Sequence, residues 1–123
     1  QTAIAKWKFK TNSQINSSPI ISGQVCYIGS YDYGLYAVNI INGKQKWKFS
    51  TKGLVKSSPV PYKGSVYVGS YDGYIYKVDS AFGTLQANFK INGNIQSSPA
   101  VNDYSGTQYN SGVSGFNTSG NNN

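Results

Sequence analysis

The chain has 123 residues, 38% of them hydrophobic and 12% charged, with eleven lysines, four aspartates and a net charge of +7. It contains no His, Glu, Arg or Met and one cysteine, which removes the usual general bases and most metal-ligand sets and rules out an internal disulfide. No apolar stretch reaches the length of a membrane-spanning helix, and the length suits one modest domain.

From the amino terminus, residues 4–10 alternate Lys6, Lys8 and Lys10 with Trp7 and Phe9, which predicts a strand with a basic face and an aromatic face. Residues 15–21 carry Ser17-Ser18-Pro19 and read as a second strand, followed by strands over 25–30 and 35–39. A turn at Asn42-Gly43 then leads into a strand over 44–50, where Lys44, Lys46 and Lys48 share one face. The same order returns as strands over 55–60, 65–70, 74–78 and 85–90, with a hairpin signal at Asp72-Gly73 and a turn over 80–83. Residues 94–101 open a third copy. No helical periodicity competes with this pattern, so the expected class is all-β and antiparallel.

The copies lie 40 residues apart: Ser17-Ser18-Pro19, Ser57-Ser58-Pro59 and Ser97-Ser98-Pro99 align, as do Gly29-Ser30-Tyr31-Asp32 and Gly69-Ser70-Tyr71-Asp72. Trp7-Lys8-Phe9 matches Trp47-Lys48-Phe49, with Ala87-Asn88-Phe89 as a worn copy. A period near 40 built from short strands marks propeller blades, and a blade buries its faces only against neighbours. The reading is about three four-stranded blades. It comprises an outer strand at 4–10, a blade at 11–50, a blade at 51–90, a partial, degenerate blade at 91–103 and a tail at 104–123. Known rings close with roughly 4–8 blades, so this is an incomplete propeller.

The repeated residues have separate physical jobs. Pro19, Pro59 and Pro99 lack a backbone donor and belong at a strand start or edge. Gly29 and Gly69 permit close backbone approach. Trp7, Phe9, Trp47, Phe49 and Phe89 suit the wedge between blades, and Tyr27, Tyr67, Tyr36 and Tyr76 bury a ring while keeping a hydroxyl partner. These nine aromatics are the expected interface residues. Asp32 and Asp72 share a repeat position, which fits turn capping better than calcium binding. Cys26 aligns with Val66 and reads as a small core residue, and the alternating lysines read as protection of exposed strands.

The succession Trp-x-Phe, Ser-Ser-Pro, Val66-Tyr67-Val68-Gly69-Ser70-Tyr71-Asp72-Gly73-Tyr74-Ile75-Tyr76, then Asp79-x-x-x-Gly83, resembles the PQQ-like β-propeller repeat from residue 4 to about 103. That resemblance implies the fold and leaves the function open, because the family holds quinone-dependent dehydrogenases, assembly scaffolds and sensor domains. It also implies that Ser-Ser-Pro marks the strand nearest the axis and Trp-x-Phe the outermost strand. The first strand then lacks its own blade, and the last inner strand lacks companions. The Glu and Arg of quinone and calcium sites are missing, so no cofactor and no metal are expected.

The functional expectation is a non-catalytic extracellular or cell-surface module. It self-assembles through blade faces and strand edges into a homo-oligomer or filament, with the strand at 4–10 completing the sheet that begins near Asn94. The alternative is a fragment of a larger propeller whose site lies in other blades. Other propeller blades and glycans are the candidate partners, while the absence of Arg argues against nucleic acid. Asn16 and Asn117 head Asn-x-Ser/Thr tripeptides and are candidate glycosylation sites in a secreted protein. The tail, rich in Gly, Ser and Asn, reads as a flexible end or a donated strand.

Overall fold

Pairing partners dictate where strands form along this chain. The computed structural model describes residues 7–91, 93–95, 98–102, 112–114 and 118–119. The first blade is one antiparallel sheet of β1 (Ile20–Ser22), β2 (Val25–Ser30), β3 (Gly34–Asn39) and β4 (Gln45–Ser50) in sequential order. The second blade repeats it with β5 (Val60–Tyr62), β6 (Ser65–Gly69), β7 (Tyr74–Asp79) and β8 (Leu85–Lys90). The fold is therefore all-β and blade-like, as the repeat requires.

The turns carry the chemistry that closes each hairpin. Lys63 and Gly64 both have positive φ, 48° and 80°, the signature of a type I′ turn matched to strand twist. In the first blade only Gly23 (φ 62°) is positive at this turn. The Asn39 and Asp79 side chains accept backbone N–H groups two residues on, at Ile41 and Ala81, and so cap the turns before the outer strands. Both blades carry a bulge between β3 and β4 or β7 and β8, after Ala37 and after Lys77. The bulge lets the outer strand twist while Trp47 stays opposite Ala37.

The inner strands are shorter than expected. The strands predicted over 15–21 and 55–60 form only at Ile20–Ser22 and Val60–Tyr62. Pro19 and Pro59 cannot donate to a ladder. The first serine of each motif bonds through its side chain instead, with Ser17 Oγ accepting from Gly29 N–H at 3.1 Å and donating to Gly29 O at 3.0 Å. Residues 7–10, the described part of the strand expected at 4–10, are not in a strand and pair with no ladder among the described residues. The single inner strand expected over 94–101 is two short ones, β9 (Asn94–Ile95) and β10 (Ala100–Asn102). Each pairs within the chain: β10 with β11 (Gly112–Ser114), and β9 with β12 (Thr118–Ser119). Among the described residues, the third copy contributes two two-stranded pairs, with partners drawn from the tail.

The core lies between the blades. Tyr27, Leu35, Ala37 and Trp47 of the first blade pack with Val55, Val66, Val68, Tyr76 and Val78 of the second unit. A second cluster of Cys26, Ile28, Tyr36 and Val38 is covered by Trp7 and Phe9.

Candidate functional site

The surfaces between consecutive units are where this chain concentrates its repeated, specific contacts. Trp47 on β4 crosses to the second blade, where its indole Nε1 donates to Ser80 O at 2.9 Å. Its ring rests on Gly83, which sits at φ 74°, and a Cβ there would lie 2.5 Å from Trp47 Cδ2. Trp7 repeats the arrangement one unit earlier, donating to Ile40 O at 2.8 Å over Gly43, also at φ 74°. Trp7 therefore occupies the place of an outer-strand tryptophan from a preceding blade, even though residues 7–10 have no ladder.

The phenylalanines follow the same rule. Phe9 meets Tyr36 edge-on at 5.4 Å between ring centres, and Phe49 meets Tyr76 at 5.2 Å; such pairs contribute about 0.5–1.5 kcal/mol beyond burial. Tyr27 leans on Trp47 at 5.9 Å, and Tyr67 lies under the Lys77 ammonium at 6.0 Å. Phe89 on β8 is half-buried and has no ring partner among the described residues. Tyr27, Tyr36, Trp47, Tyr67 and Tyr76 are buried. Asn16 is exposed, and Asn117 lies outside the described residues.

The tyrosine hydroxyls are tied to the turn aspartates. Tyr36 donates to Asp32 Oδ2, which also accepts Asn12 N–H at 2.9 Å. Tyr76 donates to Asp72 Oδ2 at 2.5 Å, with Lys52 N–H on the same oxygen at 3.0 Å. Asp72 Oδ1 closes its own turn by accepting Tyr74 N–H at 3.0 Å. Asp32 Oδ1 is buried with no partner, and Tyr33 stands there at φ 72° where the second blade has Gly73. Burial, and then the bond to the adjacent carboxylate, hold the Tyr36 and Tyr76 hydroxyls well above the usual tyrosine range. Burial likewise raises Tyr27 and the Cys26 thiol.

Two interblade devices escaped the sequence reading. The first residue of each inner segment, Val55 or Ile95, seats its side chain over the glycine of the unit before it, Gly29 or Gly69. The second is a serine relay, in which Ser58 Oγ accepts Ser18 N–H and Ser98 Oγ accepts Ser58 N–H, each at 2.9 Å. The aliphatic at 15, 55 and 95 and the second serine of each motif recur every 40 residues, so the signal was present. What it lacked was direction, since spacing does not say that these groups reach across to another unit. Among the described residues, no group of three His, Cys, Asp or Glu side chains lies close enough to hold a metal, and no helix is long and apolar enough to cross a membrane.

The family model described as outer membrane protein assembly factor BamB matches residues 2–120. BamB from Moraxella catarrhalis is similar in structure at a TM-score of 0.71 and 22% identity, covering 80% of this chain and 31% of that one. Quinohemoprotein alcohol dehydrogenase ADHIIG from Pseudomonas putida HK5 gives 0.68 at 21% identity, covering 76% of this chain and 16% of its own. The quinohemoprotein alcohol dehydrogenase of Comamonas testosteroni gives 0.66 at 19%, covering 77% and 17%. This chain therefore spans less than a third of the length of these solved relatives, and at such identities the likeness is one of fold. No curated protein matches it in sequence. The aligned strands, the Trp-on-Gly contacts and the family match agree: the chain belongs to the family described as outer membrane protein assembly factor BamB and is a stretch of PQQ-like β-propeller.

Proposed function

We propose that this chain is a non-catalytic structural and binding module whose open flank is completed by further PQQ-like blades. One observation carries the reading: at a single repeat position Val55 and Ile95 are 0% exposed, while Ile15 is 40% exposed. The fold buries that position against a preceding unit wherever one exists. Pro19 follows suit, exposed where Pro59 and Pro99 are buried.

Blades of a longer propeller are the source best supported, because this chain covers only 31% and 16% of the solved relatives' own length. In that setting the module is a scaffold segment, and any ligand site belongs to other blades. The name of the family, an assembly factor of the outer membrane, supports a protein-binding role in the cell envelope or at the surface. The second reading is self-assembly of copies into an oligomer or filament. Its ground is the blade count: two four-stranded sheets among the described residues, short of the roughly 4–8 blades that close a ring.

Sedimentation velocity over a wide concentration range tests these readings together. A concentration-independent monomer removes self-assembly, while growth with concentration supports it. Further Ser-Ser-Pro repeats in the reading frame around this sequence support the longer propeller, and a frame without them removes it. A clear thermal shift with calcium and quinone would overturn the non-catalytic assignment.

A further inference from the structure

The geometry points to a specific requirement in the blade that completes the amino-terminal flank: a glycine-serine pair in its second strand, with the glycine uncovered. The inference rests on the reading of the chain as a blade-docking module. It comes from a contact that the chain makes twice and leaves open once.

The contact has three parts. A Cβ placed on Gly29 would lie 2.5 Å from Val55 Cγ1, and one on Gly69 would lie 2.3 Å from Ile95 Cγ2, so any side chain there would displace the aliphatic group. The backbone N–H of the seated residue then donates to the carbonyl of the serine after the glycine, Val55 to Ser30 at 3.1 Å and Ile95 to Ser70 at 3.3 Å. Three residues after the seated aliphatic, a serine hydroxyl accepts a backbone N–H from the unit before: Ser58 Oγ takes the N–H of Ser18, and Ser98 Oγ takes that of Ser58. In the first copy all three halves are present and unmet. Ile15 is 40% exposed, and neither its N–H nor the Ser18 hydroxyl has a partner among the described residues.

The occupant is therefore a blade that offers a bare glycine under Ile15, a serine carbonyl to the Ile15 N–H and a backbone N–H to Ser18 Oγ. A second copy of this chain does not meet that description with its two described blades, because Val55 already fills Gly29 and Ile95 already fills Gly69. The partner is a PQQ-like blade of different sequence or position, recognised by the absence of a side chain. A dispersion contact of this kind is intolerant of even one extra carbon.

The test is amide hydrogen exchange at Ile15 in two lengthened chains, each being the full chain with a second copy of residues 11–50 inserted directly before residue 11. One keeps the added glycine, and the other carries Gly29→Val in the added copy only, with Gly29→Ala as a milder third version. Protection of the original Ile15 should rise by about 100-fold or more with the glycine and fall back with valine, since exchange reports local opening. Unchanged protection across residues 65–79 shows that the rest of each variant is folded. Protection with glycine and valine alike overturns the glycine requirement and leaves blade docking intact. Protection with neither overturns both. Protection of Ile15 in the unmodified chain on raising its concentration overturns the exclusion of a second copy.

Discussion

Replacing Gly83 by alanine tests the Trp-on-Gly contact with an internal control. Gly83 and Gly23 both have positive φ, 74° and 62°, so Ala at either site carries the left-handed backbone penalty of about 1–2 kcal/mol. They differ in surroundings. A Cβ on Gly23 meets nothing within 4 Å, whereas one on Gly83 meets Trp47 Cδ2 at 2.5 Å and Cγ at 2.6 Å. Those atoms belong to the rigid base of the indole, so the ring must leave its seat. Trp47 then loses its bond to Ser80 O, which contributes about 0.5–1.5 kcal/mol, and part of the burial that leaves it 7% exposed. Full removal of a buried tryptophan costs about 3–5 kcal/mol, which caps this second contribution. Gly23→Ala should therefore cost about 1 kcal/mol and Gly83→Ala about 2–4 kcal/mol, read from urea titrations followed by tryptophan fluorescence. Equal costs for the two variants would refute the claim that the indole depends on that glycine.

The other predictions use the same repeat logic. Tyr33→Gly relieves a positive φ in a half-exposed turn and should stabilise by about 1 kcal/mol in the same titration, matching the second blade's Gly73. Ser57→Ala strands the buried N–H and C=O of Gly69 and should cost about 2–4 kcal/mol, while Ser18→Ala, whose hydroxyl has no partner among the described residues, should stay within about 0.5 kcal/mol. Because Tyr36 and Tyr76 are raised in the folded state, the unfolded chain sheds those protons first. Stability should hold up to about pH 10 and then fall by about 1.4 kcal/mol per pH unit for each tyrosine, with Tyr36→Phe reducing the slope. Cys26, buried with its thiol raised, should react with a thiol reagent at the rate of opening and rapidly once unfolded.

The blade framework was legible because turn chemistry and aromatic spacing repeat together. Asp72-Gly73, Asn42-Gly43 and the turn over 80–83 each fix a hairpin locally, without help from distant contacts. Strand ends were less legible where side chains take over backbone bonding. Ser17 and Ser57 satisfy the glycine of β2 and β6, so the residues before Pro19 and Pro59 lie outside any ladder. The third copy was read as one inner strand because its Ser-Ser-Pro survives. Its pairing with Gly112–Ser114 and Thr118–Ser119 depends on tail residues whose polar composition gives no strand signal. The aromatic seats were half visible: Trp7 and Trp47 announce a wedge, but that they rest on Gly43 and Gly83 follows only from three-dimensional register. Ile15 was unremarkable in the sequence, and its meaning appears only when Val55 and Ile95 are seen buried at the same position.

Truncating that position in all three copies gives the most direct measurement. Ile15→Ala, Val55→Ala and Ile95→Ala should be compared by urea unfolding at concentrations where the chain sediments as a monomer. An uncovered flank predicts a change within about 0.5 kcal/mol for Ile15→Ala and losses of about 2–4 kcal/mol for the two buried residues. A loss at Ile15 equal to that at Ile95 would mean the flank is already sealed, and no partner blade would be needed.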